Sequence, residues 1–216
     1  NNYLSQSVLD EANNRMNNDE GILEDGDAYT TMEHYWDEAY GYLYGDPSIP
    51  TANPNSVLNN SEDNLLFNYL GEVDADDDFA GIAESTFEAF LTGRAAIVAG
   101  NYEVRDEQAA IIRENISKVI AVRAVHYLQG GKAALADGNN GAAFHDLSEG
   151  FGFILSLRFT HNPQTGMPYL SPEQINGYKD ALLNPDNFGF WNVKPETLDS
   201  ISEEIASAFG FEVSQA

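Results

Sequence analysis

Residues 30–45 read TTMEHYWDEAYGYLYG, and their pattern decides the fold class. Met32, Trp36, Ala39, Tyr40 and Leu43 recur at three- and four-residue intervals, the spacing of one helix face. Thr30 and Glu33 form a capping box ahead of that run, and Gly45, Asp46 and Pro47 stop it, which predicts a helix over 31–44. His34, Asp37, Glu38 and Gly41 fall on the opposite face. A glycine inside a helix costs about 0.5–1 kcal/mol relative to alanine. Gly41 therefore predicts the close approach of another backbone, a ring or a ligand.

The arrangement occurs twice. His145, Glu149 and Gly152 repeat the i, i+4, i+7 offsets of His34, Glu38 and Gly41. An aromatic precedes each glycine (Tyr40, Phe151), and Tyr42–Leu43 or Phe153–Ile154 follows it. Ala143, Phe144, Leu147, Phe151, Ile154 and Leu155 form the second apolar stripe, with His145, Glu149, Gly152 and Ser156 opposite. Either copy alone reads as a polar edge in water above a core-facing stripe. The repetition predicts instead that the two edges meet around a shared gap, as a metal site or a buried polar network.

Outward from these segments, helical signals dominate. Tyr3, Leu4, Val8 and Leu9 begin an amphipathic segment that ends near Arg15. Residues 17–28 read as an acidic loop, and 46–60 as a long loop holding three prolines. Ser61 is placed to cap a short helix through Leu70, and a further helix is expected over 79–99. The longest pattern runs over 103–129, with Gly130 and Gly131 expected to bend or break it. Helices over 141–159, from Pro172, and from Pro195 to about Phe209 follow, with an aromatic connector at 189–193 between the last two. No strand alternation persists, so the chain is expected to be all-α, a helical bundle with an internal quasi-repeat, forming one domain over 1–216. The abrupt helical start at Asn1 points to further chain upstream.

Composition narrows the chemistry. Ten Lys plus Arg stand against 35 Asp plus Glu, a net charge of −25. Such a chain is not expected to bind nucleic acid, because it cannot neutralise phosphates, nor an anionic membrane surface. The acidity suits a salty medium, divalent cations or a cationic partner. Without cysteine, thiolate zinc sites, iron–sulfur clusters and cysteine nucleophiles are excluded. No apolar run reaches the length of a membrane span.

Neutral imidazole with carboxylate suits zinc or iron, so the candidate ligands are His34, Asp37, Glu38, His145 and Glu149. Arg123 and His126 fall inside the apolar stripe of the long helix. An arginine there needs a carboxylate partner or a route to the rim, and Asp37, Glu38 and Glu149 are candidates. Arg123 and His126 would then orient the ligands from behind. Arg158 falls on the apolar side of its helix, and His161 lies in a Pro/Gly loop. No glutamate directly follows either His34 or His145, so the HExxH peptidase motif is absent, and so is a nucleophile elbow. Asp74, Asp76 and Asp78 take positions 1, 3 and 5 of an EF-hand-like loop, a candidate for weak calcium binding. Phe79 and Ser85 break its pattern at positions 6 and 12.

The words TMEHYWDEAYGYLYG, RAVHYLQGGKAAL, HDLSEGFGFILSLRF and FGFWNV resemble a family of bacterial envelope lipoproteins related to the imelysins, over most of the chain. The resemblance implies duplicated helical bundles and export to the periplasm or outer surface. Imelysin carries a GxHxxE motif associated with peptidase activity and with iron uptake. The matching positions here are His34 and Asp37, with Met32 in place of the glycine, Asp37 in place of the glutamate, and Glu38 one residue on. Three readings follow: a non-catalytic, iron-linked metal-binding envelope protein; a metallopeptidase; and an acidic interaction module whose rings Tyr35, Trp36, Tyr40, Tyr42 and Tyr44 contact an envelope partner.

Overall fold

The computed structural model describes residues 1–60, 65–184, 186 and 188–216. Ser61, expected as a helix cap, lies outside the described residues. The described residues form nine α-helices, several short 3-10 helices and no strand. These are α1 (Gln6–Leu9), α2 (Asn14–Asp19), α3 (Thr31–Tyr44), α4 (Leu66–Asp74), α5 (Ile82–Val98), α6 (Tyr102–Ala136), α7 (Asn140–Ser156), α8 (Pro172–Leu182) and α9 (Pro195–Phe209). Backbone contacts divide the chain into two compact units, Asn1–Ile116 and Ser117–Ala216, with the boundary inside α6.

In the first unit, α3 is the central element and packs against α1, α2, α4 and α5. Its start is fixed locally. The Thr30 hydroxyl accepts the Glu33 N–H at 3.3 Å, and Glu33 Oε2 accepts the Thr30 N–H at 2.7 Å. The stripe then buries Met32, Trp36, Leu43 and Tyr44. Tyr44 sits among Phe67, Phe87 and Phe90, with ring centroids 5.7–6.1 Å apart in edge-to-face geometry. Trp36 donates its indole N–H to the Phe90 carbonyl at 3.0 Å. The ring lies against Gly93 of α5, where a Cβ would come within 2.1 Å of Trp36 Cζ2.

The N-terminal segment differs from the single helix expected to end near Arg15. It breaks into α1 and α2, and Ala12 adopts a left-handed backbone, φ 50°. The break lets Asp10 reach a residue far along the chain. Arg105 of α6 is fully buried, and its Nη1 donates to Asp10 Oδ1 at 2.6 Å while Nε donates to Asp106 Oδ1 at 2.8 Å. Arg15 donates to the same Asp10 at 3.0 Å, and Gln6 donates to Asp106 at 2.6 Å. Burial alone would raise the Asp10 carboxyl. Hydrogen bonds from Arg105 and Arg15, together with their charges, bring it below its ordinary value.

In the second unit, α7 packs on α8 and α8 on α9. The helix expected to bend or break at Gly130 and Gly131 does not break there and runs on to Ala136. The glycines serve packing. A Cβ on Gly131 would stand 2.7 Å from Leu147 Cδ2, and one on Gly130 would stand 2.9 Å from Asp146 Oδ2. Removing both lets α7 lie close against α6, and this offsets their weak helix propensity. Lys132 pairs with Asp199 at 2.5 Å, which ties α6 to α9. The aromatic connector is a 3-10 helix, Gly189–Asn192, whose Trp191 ring packs 4.5 Å from Phe144.

Candidate functional site

The polar face of α3 carries a surface groove lined by His34, Asp37, Glu38, Gly41 and Tyr42. Three of the expected ligand residues thus lie side by side. The i, i+4 spacing sets His34 Nε2 3.8 Å from Glu38 Oε1, and both side chains stay more than a third exposed. Asp37 turns away from them to Arg94 of α5, whose Nε donates to Asp37 Oδ1 at 2.9 Å. The same guanidinium donates through Nη1 to Glu33 Oε1 at 2.7 Å. Burial pushes the Glu33 carboxyl up, and the Thr30 N–H and Arg94 bring it below its ordinary value. Glu33 therefore both caps α3 and anchors Arg94.

Gly41 is not covered by a protein group. Nothing described lies within 4 Å of where its Cβ would stand, and the same holds for Gly152. Of the backbone, ring or ligand expected to approach such a glycine, neither a backbone nor a ring of the described residues does so at either position. At Gly41 the missing Cβ opens the groove between Glu38 and Tyr42.

Five rings run along this face. Tyr29 stacks on His34 at 5.3 Å and 12°, and His34 lies 6.0 Å from Tyr35. Tyr35 lies 6.0 Å from Tyr3, which stacks on the exposed Tyr42 at 5.7 Å and 26°. The neighbouring Tyr42, burial and the Glu38 charge raise the Tyr3 hydroxyl above its ordinary value. Burial, Asp27, Glu24 and Glu38 do the same for Tyr29. Of the aromatics expected to meet a partner, Tyr42 is open, while Trp36 and Tyr44 are core. Tyr40 is half-buried and donates to the Thr51 carbonyl at 3.2 Å. Tyr3 and Tyr29 were not legible as site residues, because segments before the helix supply them.

The second copy belongs to the second unit. His145 is exposed and Glu149 half-buried on α7. Arg123 is buried with its guanidinium 4.6 Å from the Tyr127 ring, and Tyr127 stacks on Phe153 at 5.7 Å. His126 was expected in the core stripe but is exposed, edge-on to Tyr127 at 5.5 Å. Positions 121–125 are all buried, so this stretch of α6 is covered almost all round and His126 falls in its narrow open strip. Arg158, expected on the apolar side, is exposed and donates to Asn176 at 2.5 Å.

Among the described residues, no group of three or more His, Asp or Glu side chains is arranged to hold a metal ion. In the calcium candidate, Asp74 Oδ1 accepts the N–H groups of Gly81 and Ala83 at 3.0 and 2.8 Å, and so caps α5. Asp76 accepts the Asp78 N–H at 2.9 Å. No helix among the described residues is long and apolar enough to cross a membrane.

Two arginine-paired carboxyls of the first unit that lie below their ordinary values, Asp10 and Glu33, set an acid limit. Asp10 and Glu33 titrate below their ordinary values of 3.8 and 4.5, so the unfolded chain takes up protons first as pH falls. Their contribution is complete above those ordinary values and is lost as pH drops through the folded ones. Urea midpoints measured from pH 6 to pH 3 should therefore fall below about pH 4.5. An Arg105→Met variant should show a shallower decline.

A family model described as "Domain of unknown function (DUF4856)" matches residues 1–212. No curated protein and no solved structure is matched.

Proposed function

The chain belongs to the family described as a domain of unknown function, DUF4856, and we propose that it is a non-catalytic cation-binding protein of the bacterial cell envelope. The observation that carries this reading is the α3 groove, where His34, Asp37, Glu38 and Tyr42 line the surface around Gly41, with Tyr3 stacked on Tyr42 from outside the groove. Glu38 supplies a carboxylate, the rings supply negative π faces, and a net charge of −25 concentrates cations at the surface. The resemblance to imelysin-related envelope lipoproteins and the acidic composition support the placement in the periplasm or on the outer surface. Fractionation of the native host's cells with an antibody to the chain tests that placement; a cytoplasmic signal would contradict it.

A second reading, iron or zinc at the same place, is favoured by the His34–Glu38 pair, which presents one nitrogen and one oxygen donor a helical turn apart. Calorimetric titration with spermidine, zinc and ferrous iron, each alone, tests both readings. At least one probe should bind, and Glu38→Gln should weaken it about tenfold. Gly41→Ala should weaken it too, by placing a methyl group in the groove. The same substitution should raise thermal stability by about 0.5–1 kcal/mol, because the methyl meets no neighbour. No binding by the parent protein, or equal binding by Glu38→Gln, would overturn the reading.

A further inference from the structure

We propose that the α3 groove docks a basic segment of a partner protein and that the group it seats is an arginine side chain. This rests on the groove being the cation site argued above. The recognition geometry already occurs inside the protein. Tyr102 carries two guanidinium groups against its ring, Arg15 at 4.8 Å and Arg105 at 5.0 Å, and Asp10 accepts hydrogen bonds from both. A guanidinium held between a tyrosine face and a carboxylate is thus an arrangement this chain uses to hold itself together.

The groove offers the same parts at the surface. Glu38 stands beside the Tyr3–Tyr42 stack, and the charge of Glu38 reaches the Tyr3 hydroxyl. Among the described residues, Glu38 forms an ion pair with His34 only, at 3.8 Å, beyond good hydrogen-bonding distance. Its carboxylate therefore keeps acceptor capacity for a planar, two-pronged donor. Arginine fits better than lysine, because a guanidinium stacks flat on a ring and bonds a carboxylate through two N–H groups.

The choice of partner follows from charge and shape. A second copy of this chain would bring another −25 and be repelled. The rings from Tyr29 through His34, Tyr35 and Tyr3 to Tyr42 form a row along the surface. A row suits an extended segment with spaced cations, and arginine-bearing chain provides that.

The test titrates the whole chain with an acetylated, amidated peptide of alternating arginine and glycine, and with its lysine counterpart, at physiological ionic strength. The arginine peptide should bind at least about threefold more tightly than the lysine peptide. Tyr42→Ala and Glu38→Gln should each weaken it about three- to tenfold, while the charge-matched Glu107→Gln on α6 should stay within about twofold. Tyr42 and Glu38 are surface residues, and a melting curve for each variant confirms that the fold is kept. Equal affinity for both peptides, or equal losses in Glu38→Gln and Glu107→Gln, would reduce the effect to bulk charge and overturn the proposal. If Glu38→Gln abolishes spermidine or zinc binding while the arginine peptide ignores Tyr42→Ala, the arginine assignment falls and the cation groove stands. If Glu38→Gln changes no probe, both fall.

Discussion

Gly93→Ala should destabilise the first unit by about 3 kcal/mol and lower its melting temperature by about 10 °C. The new methyl would stand 2.1 Å from Trp36 Cζ2 and 2.3 Å from Cη2, inside any real carbon contact. The indole has little room to yield. It is 1 % exposed, its N–H is bonded to the Phe90 carbonyl at 3.0 Å, and its edge packs on the Phe90 ring. Moving the ring costs that hydrogen bond and the edge-to-face contact with Phe90, together more than the roughly 1 kcal/mol that alanine returns as helix propensity. Gly41→Ala is the internal control, since the same change in the same unit should shift the melting temperature upward. Thermal unfolding followed by circular dichroism measures both. A neutral Gly93→Ala would mean that Trp36 does not lie against α5 as described.

Arg105→Met should cost about 3 kcal/mol, measured as a fall in the urea midpoint. The guanidinium is fully buried, while its partners Asp10 and Asp106 keep about a quarter of their side-chain surface in water. Removing the cation leaves two carboxylates close together, held by Arg15 and by the Gln6 amide. Their partial exposure sets the loss at the lower end of what a broken buried pair costs. Replacing Asp10 and Asp106 by leucine in the Arg105→Met background should recover part of the stability, because an apolar cluster of similar volume needs no partner. If the triple variant is weaker than Arg105→Met alone, the cluster fixes the α1–α2 break through geometry that leucine cannot reproduce.

What the sequence disclosed follows from the range of each interaction. The bounds of α3 were legible because the Thr30–Glu33 box and the Gly45–Asp46–Pro47 stop act within a few residues. The His34–Glu38 pair was legible for the same reason. The continuation of α6 through Gly130 and Gly131 was not, because glycine reads as a break until Leu147 and Asp146 are seen against it. The kink after α1 follows from Asp10 reaching Arg105, 95 residues away. Asp37 looked like a ligand because Arg94, its partner, is 57 residues distant. Of the backbone, ring or ligand expected against Gly41, no backbone or ring of the described residues is there, and the open space leaves a groove.

Cation binding on the polar face of α3 is reported directly by the ring protons of the histidines. The chain has four, His34, His126, His145 and His161, and a His34→Gln variant assigns the first by its disappearance. As spermidine or the arginine–glycine peptide is added at constant pH and ionic strength, the His34 signals should move along a saturable curve while the other three stay within their bulk-salt drift. If the probe binds and the His34 signals remain still while another histidine shifts, the binding site lies elsewhere and the assignment of the α3 groove is wrong.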